Sequence, residues 1–128
     1  MAGRRLLVVD DEPAVTVVIE LAARLWNDTA ATVRSLAEAR AALADSPAPD
    51  LILLDVGLPD GSGLAFLAEL RARPATATLP VIVLTGAGEN AVLNEASTLG
   101  ARVVSKPFSP AKLAVLVEEL VPGTGADG

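Results

Sequence analysis

Leu51-Ile52-Leu53-Leu54-Asp55 is a run of four large aliphatic residues that stops on a carboxylate. Apolar residues at every position, with no alternation, suit a strand covered on both faces. Outward from this run the same pattern recurs in both directions. Leu6-Leu7-Val8-Val9 stops on Asp10 and Asp11, and Val81-Ile82-Val83-Leu84 stops on Thr85. Val103-Val104-Ser105 stops on Lys106, followed by Pro107. As parallel strands of one sheet, these runs would project their polar ends from a single edge. In an open α/β sheet, ligands bind beyond the carboxyl edge. Three carboxylates, a hydroxyl and an ammonium at one spot have the chemistry of a divalent-cation site beside a charged oxyanion.

Helical patterns separate the runs. The first strand is expected near Arg5–Val9, then a helix from Pro13 to about Trp26, with Val17, Leu21 and Leu25 at helical spacing. A weaker strand is expected near Ala30–Arg34. Ser35 and Glu38 form a capping box for a helix through about Ala44, broken by Ser46-Pro47-Ala48-Pro49. Gly57 to Gly63 reads as a turn-rich loop, and Ser62 or Gly63 starts a helix ending near Arg73-Pro74. Pro80 opens the fourth strand, which Gly86 and Gly88 end. A helix from about Glu89 to Leu99 stops at Gly100, and a short strand covers Arg102–Ser105. Ser109 caps a last helix with Pro110 at its first position, running to about Val121. This alternation predicts a parallel sheet with right-handed crossover helices. Residues 1–121 are expected to form one domain, and 122–128 a flexible tail.

The composition narrows the chemistry. Hydrophobic residues make up 52% but aromatics only 2%, so the core must be aliphatic. The chain has no cysteine, hence no disulfide or thiol nucleophile, and no histidine, hence no imidazole base. Any phosphohistidine must come from a partner. With 16 acidic and 10 basic residues, the net charge of −6 repels phosphate backbones, so direct nucleic-acid binding by this domain is not expected. No apolar stretch approaches the roughly 20 residues that span a bilayer. The run after Arg4 and Arg5 is too short for a signal peptide, and a cytoplasmic location is expected.

Each polar end also has an ordinary reading. Asp10-Asp11-Glu12 could be a solvated loop, and Asp55 a strand-ending polar residue or a cap. Thr85 could simply end a strand, and Lys106 could be a solvated surface residue. In the sharper reading, Asp55 is a nucleophile able to form an acyl phosphate. Thr85 would donate to a phosphoryl oxygen, and Lys106 would act as a point charge. The joint occurrence at four strand ends favours the sharper reading. Pro107 adds to it, since a proline there fixes the backbone and its peptide bond can be cis.

At Val8-Val9-Asp10-Asp11-Glu12, Leu53-Leu54-Asp55, Leu58-Pro59-Asp60-Gly61-Ser62-Gly63, Leu84-Thr85-Gly86 and Ser105-Lys106-Pro107-Phe108, the chain resembles the receiver domain of two-component response regulators. The resemblance runs from near residue 6 to about residue 120. It implies a flavodoxin-like (βα)5 three-layer sandwich with a parallel five-stranded sheet in the order 2-1-3-4-5, which the chemotaxis receiver shares. It further implies that Asp55 takes a phosphoryl group from a phosphohistidine on a sensor histidine kinase or histidine phosphotransfer protein. Asp11, Asp55 and the Gly57 carbonyl would hold Mg2+ (or Mn2+) directly, with Asp10 acting mainly through a metal-bound water. Thr85 and Lys106 would bond the phosphoryl group. A face made by the fourth helix, fifth strand and fifth helix would then switch toward a downstream protein target. The protein would be a signalling phosphoprotein, a monomer or weak dimer, and no enzyme toward a separate substrate. It would be a single-domain regulator or part of a longer regulator or hybrid kinase.

The sequence departs from the family in three places. Val103 stands where receivers usually carry an aromatic, and the chain has no tyrosine. Gly100-Ala101 lies one residue closer to Lys106 than the resemblance leads one to expect. Gly57 and Ala87, two residues after Asp55 and Thr85, have no side chain able to orient a water, which predicts slow self-dephosphorylation. Two competing readings are a non-phosphorylated pseudo-receiver binding module and a haloacid-dehalogenase-type phosphatase. The second lacks an Asp two residues after Asp55 and has no room for a cap domain. No G-x-G-x-x-G follows the first strand, which disfavours dinucleotide binding.

Overall fold

The structure, a computed structural model, describes residues 3–45, 48–86 and 90–122. In chain order its strands are β1 (Arg5–Val9), β2 (Thr29–Val33), β3 (Leu51–Asp55), β4 (Gly57–Leu58), β5 (Gly61–Ser62), β6 (Val81–Thr85) and β7 (Arg102–Ser105). The helices are α1 (Pro13–Leu25), α2 (Leu36–Asp45), α3 (Gly63–Ala72), α4 (Asn90–Thr98) and α5 (Pro110–Leu120). Five strands form one parallel sheet in the order β2-β1-β3-β6-β7. β4 and β5 form a small antiparallel hairpin apart from it, inside the segment expected to be a loop. With the hairpin set aside, the order is the expected 2-1-3-4-5.

The unbroken aliphatic runs divide by parity. Leu6, Val8, Leu51, Leu53, Ile82 and Leu84 pack on one face against Ile19 and Ala23 of α1 and Leu113 and Val117 of α5. Leu7, Val9, Ile52, Leu54, Val81 and Val83 pack on the other face against α2, α3 and α4. The result is three layers with a core on each side of the sheet. Every residue of β3 and β6 is buried. Truncating one of them, as in Leu53→Ala, should cost about 2–5 kcal/mol. β2 and β7 are the edges and are only half-buried, which accounts for the weak strand signal over β2.

Local chemistry sets the helix ends. Ser62 Oγ accepts from Ala65 N–H at 3.3 Å, and Ser109 Oγ accepts from Lys112 N–H at 3.4 Å. At α2, Ser35 Oγ accepts from Glu38 N–H at 3.1 Å, but Glu38 Oε1 accepts from Arg34 N–H rather than from Ser35. The expected capping box is therefore offset by one residue. A second cap comes from outside the helix, where Asp60 accepts from Leu36 N–H at 2.9 Å and Ala37 N–H at 3.0 Å. Gly100, at φ +74, stops α4 in the left-handed conformation, and β7 begins two residues later.

One helix turns an unexpected face inward. α1 buries Ile19, Ala22 and Ala23, whereas Val17, Leu21 and Leu25 are 49%, 55% and 83% exposed. Their spacing marks the helix but not its buried face. Of the expected elements, Ser46, Pro47, Ala87, Gly88, Glu89 and residues 123–128 lie outside the described residues. Among the described residues, no helix is long and apolar enough to cross a membrane.

Candidate functional site

Strand parity also decides how the polar ends meet. Asp10 continues the parity of Val8, Asp55 that of Leu53, and Lys106 that of Val104, all on the α1/α5 side of the sheet. These three side chains converge. Lys106 Nζ lies 2.9 Å from Asp10 Oδ2 and 3.3 Å from Asp55 Oδ1. Thr85 shares the parity of Val83, which faces α2, α3 and α4. It approaches the same cleft from the other side, with Glu12, Gly57, Gly86 and Lys106 also lining it. The Lys106 backbone N–H donates to the Thr85 carbonyl at 2.7 Å, joining the two strand ends. The Lys106–Pro107 peptide bond is cis.

Asp10, Asp11 and Asp55 each bring one carboxylate oxygen to within 4.8 Å of the others. Asp10 and Asp55 are buried and Asp11 is half-buried. Asp10 Oδ1 accepts from Glu12 N–H at 2.9 Å, a turn that bends the chain at the end of β1 and lets adjacent aspartates serve one site. Asp10 Oδ2 is enclosed and has no aligned hydrogen-bond donor; its 2.9 Å approach to Lys106 is a contact between charges.

The electrostatics are unbalanced. Burial first, and then repulsion from Asp10, push the Asp55 carboxyl above the usual carboxylate range; Lys106 and the Gly57 N–H pull the other way without cancelling the shift. Burial acts against the charge on Lys106. Its contacts with Asp10 and Glu12 outweigh burial and hold the ammonium above the ordinary lysine value. The site therefore carries an uncompensated negative charge beside one fixed cation. Hard oxygen donors, excess negative charge and an enclosed oxygen without a donor all fit a divalent cation.

Two contributors were not visible beforehand. Glu12 reaches Lys106 Nζ at 2.5 Å. Gly63, the first residue of α3, sits against the backbone of Asp55, and a Cβ there would lie 2.0 Å from the Asp55 carbonyl oxygen. Only a residue without a side chain lets α3 start this close to the strand end. Gly63 was readable as a helix start, but nothing local showed which backbone it would meet.

The sequence profile of the response regulator receiver domain matches residues 6–118, and the chain belongs to that family. It is a receiver of two-component signalling, of the kind that binds a divalent metal at an acidic cluster and partners with histidine kinases. Among similar proteins, the phosphate regulon transcriptional regulatory protein PhoB of Pseudomonas aeruginosa is 32% identical over 98% of this chain and 55% of its own length. The probable transcriptional regulatory protein TcrX of Mycobacterium tuberculosis is 38% identical over 94% of this chain and 50% of its own length. The chain thus spans about half the length of the curated relatives it matches. A putative response regulator from Chloroflexus aurantiacus superposes with a TM-score of 0.86 at 30% identity, covering 92% of this chain and 97% of that one. The receiver domain of a sensor histidine kinase from Pseudomonas aeruginosa, solved with magnesium in its active-site cleft, has a TM-score of 0.81 at 27% identity. It covers 93% of this chain and 98% of its own.

Proposed function

We propose that Asp55 is the phosphoryl acceptor, supplied by a phosphohistidine on a histidine kinase or phosphotransfer partner. A carboxylate oxygen of Asp55 attacks phosphorus, the P–N bond breaks, and the imidazole leaves with the bonding pair and is then protonated. The observation that carries this reading is the position of Lys106, 3.3 Å from Asp55 and 2.9 Å from Asp10, beside the three-aspartate cluster. Lys106 supplies fixed positive charge where the transferred oxygens arrive. Thr85 lines the same cleft and supplies a hydroxyl for a phosphoryl oxygen.

Asp10, Asp11 and Asp55, with Gly57, would hold Mg2+ or Mn2+. When bound, the cation neutralises charge on the phosphoryl group during transfer. In a similar solved receiver the cleft holds magnesium, which supports that choice. Gly57 and Ala87 give no side chain to orient an attacking water, so the acyl phosphate is lost slowly and the domain acts as a signalling phosphoacceptor rather than an enzyme on a separate substrate. Its output is contact with a downstream protein through α4, β7 and α5, where Val103 takes the place of a switching aromatic. The net charge of −6 supports protein rather than nucleic acid as the direct target of this domain.

Intact-mass spectrometry after incubation with acetyl phosphate tests the reading. The expected result is a single phosphoryl adduct that requires magnesium and is absent from Asp55→Asn. An adduct that persists in Asp55→Asn would contradict it.

A further inference from the structure

Lys106 is crowded by carboxylates, and among them Glu12 accepts a hydrogen bond from it. Its ammonium has three N–H groups, and three carboxylate oxygens surround it: Glu12 at 2.5 Å, Asp10 at 2.9 Å and Asp55 at 3.3 Å. A phosphoryl oxygen arriving at Asp55 would be a fourth oxygen around it. Asp10 and Asp55 are buried and fixed at strand ends, whereas the Glu12 side chain is 57% exposed. Glu12 is the partner that can leave into water.

A second observation concerns the helix that Glu12 opens. Glu12 is the N-cap of α1, with the extended backbone of a cap at φ −93 and ψ 111, yet its side chain makes no bond to the helix. Short side chains such as Asp or Ser cap that position well, and a longer one does so poorly. Glu12 instead reaches across the cleft from the end of β1 to the end of β7.

We propose that Glu12 is a positioning residue that holds Lys106 in the resting site and is displaced by the incoming phosphoryl group. This rests on Asp55 as the acceptor. Glu12 and the phosphoryl group compete for one cation, so removing the contact strengthens the hold on the phosphoryl group.

The test uses beryllofluoride, a phosphoryl mimic, titrated with magnesium and followed by fluorine NMR. Wild type is compared with Glu12→Gln and Glu12→Asp. Gln removes the charge. Asp keeps the charge but is about 1.5 Å shorter, too short to hold Lys106. Both variants should bind the mimic about three- to fivefold more tightly than wild type, the scale of one partly exposed ion pair. In the metal-free protein, the ammonium signal of Lys106 in nitrogen NMR should shift in both variants, independently of phosphorylation. Glu12→Asp should also raise the melting temperature, because Asp can cap α1.

Wild-type affinity in both variants would overturn the role of Glu12 while leaving Asp55 as the acceptor. Tightening in Gln alone would assign the effect to long-range charge and overturn the contact. A wild-type protein that takes no beryllofluoride would remove the acceptor reading and this inference with it.

Discussion

The two edges of the sheet each gather charged side chains, and they do so in opposite ways. At the amino edge, Arg4 and Asp28 are both buried and pair at 2.8 Å. Asp28 Oδ1 accepts from Arg4 N–H at 3.1 Å, and the Arg4 guanidinium also bonds Glu118 at 3.1 Å and the Val121 carbonyl at 2.9 Å. The two buried charges, Arg4 and Asp28, match and are bonded, while Glu118 is half exposed to water, so this cluster ties the start of β1 to the end of α5. At the carboxyl edge, Asp10, Glu12 and Asp55 surround one ammonium, Asp11 adds a further carboxylate beside Asp10 and Asp55, and one buried oxygen has no aligned donor. Balanced buried charge joins elements of the fold. Unbalanced buried charge opposes the fold locally and favours a cation among the carboxylates.

The amino edge offers the largest effect. Asp28→Ala leaves the buried Arg4 without its principal partner and should lower the unfolding free energy by about 3–5 kcal/mol, measured by urea denaturation. Phosphorylation of the fraction that remains folded should be unchanged, because the site lies at the other end of the strands. A loss of phosphoryl transfer there would break the division between the edges.

Gly63→Ala attacks the carboxyl edge through its backbone. The added methyl must displace either the start of α3 or the Asp55 peptide, at a cost of about 2–3 kcal/mol. Unlike Asp28→Ala, it should also slow formation of the phosphoryl adduct, checked by mass spectrometry on folded protein.

A smaller effect separates the surface carboxylates from both edges. Backbone N–H groups of Leu36 and Ala37 hold Asp60 below the ordinary value of 3.8, and bonding by Arg40 holds Glu69 below 4.5. Both folded-state values are depressed, so their stabilisation is present above the ordinary values and lost as pH falls through the depressed ones. Stability should decline on the acid side below about pH 4, and Asp60→Ala should make that decline shallower. Thermal melts across the range, followed by circular dichroism, measure it.

The carboxyl edge was legible in the sequence because each of its residues ends an aliphatic run. Asp10, Asp55, Thr85 and Lys106 could be placed on one edge once the runs were read as parallel strands. Which side of the sheet each would take was not legible, since the runs are apolar at every position and parity shows only against the helices. The reach of Glu12 was hidden because a glutamate after two aspartates looks like solvated loop. The amino edge gave no signal, since Arg4, beside Arg5, and Asp28 are charges at ordinary strand starts, far apart in the chain. The buried face of α1 was hidden for a related reason. It is built partly from Ala22 and Ala23, while the larger aliphatics Val17, Leu21 and Leu25 face outward.

The most direct test of the contrast is the unfolding free energy of wild type and Asp55→Asn, each with and without magnesium. In the absence of metal, Asp55→Asn should be more stable than wild type by about 1 kcal/mol, because it removes a buried charge that Asp10 opposes. Saturating magnesium should stabilise wild type and leave the variant nearly unchanged. A metal-free Asp55→Asn less stable than wild type would contradict the account, since it would mean that the charges at the carboxyl edge hold the fold together as those at the amino edge do.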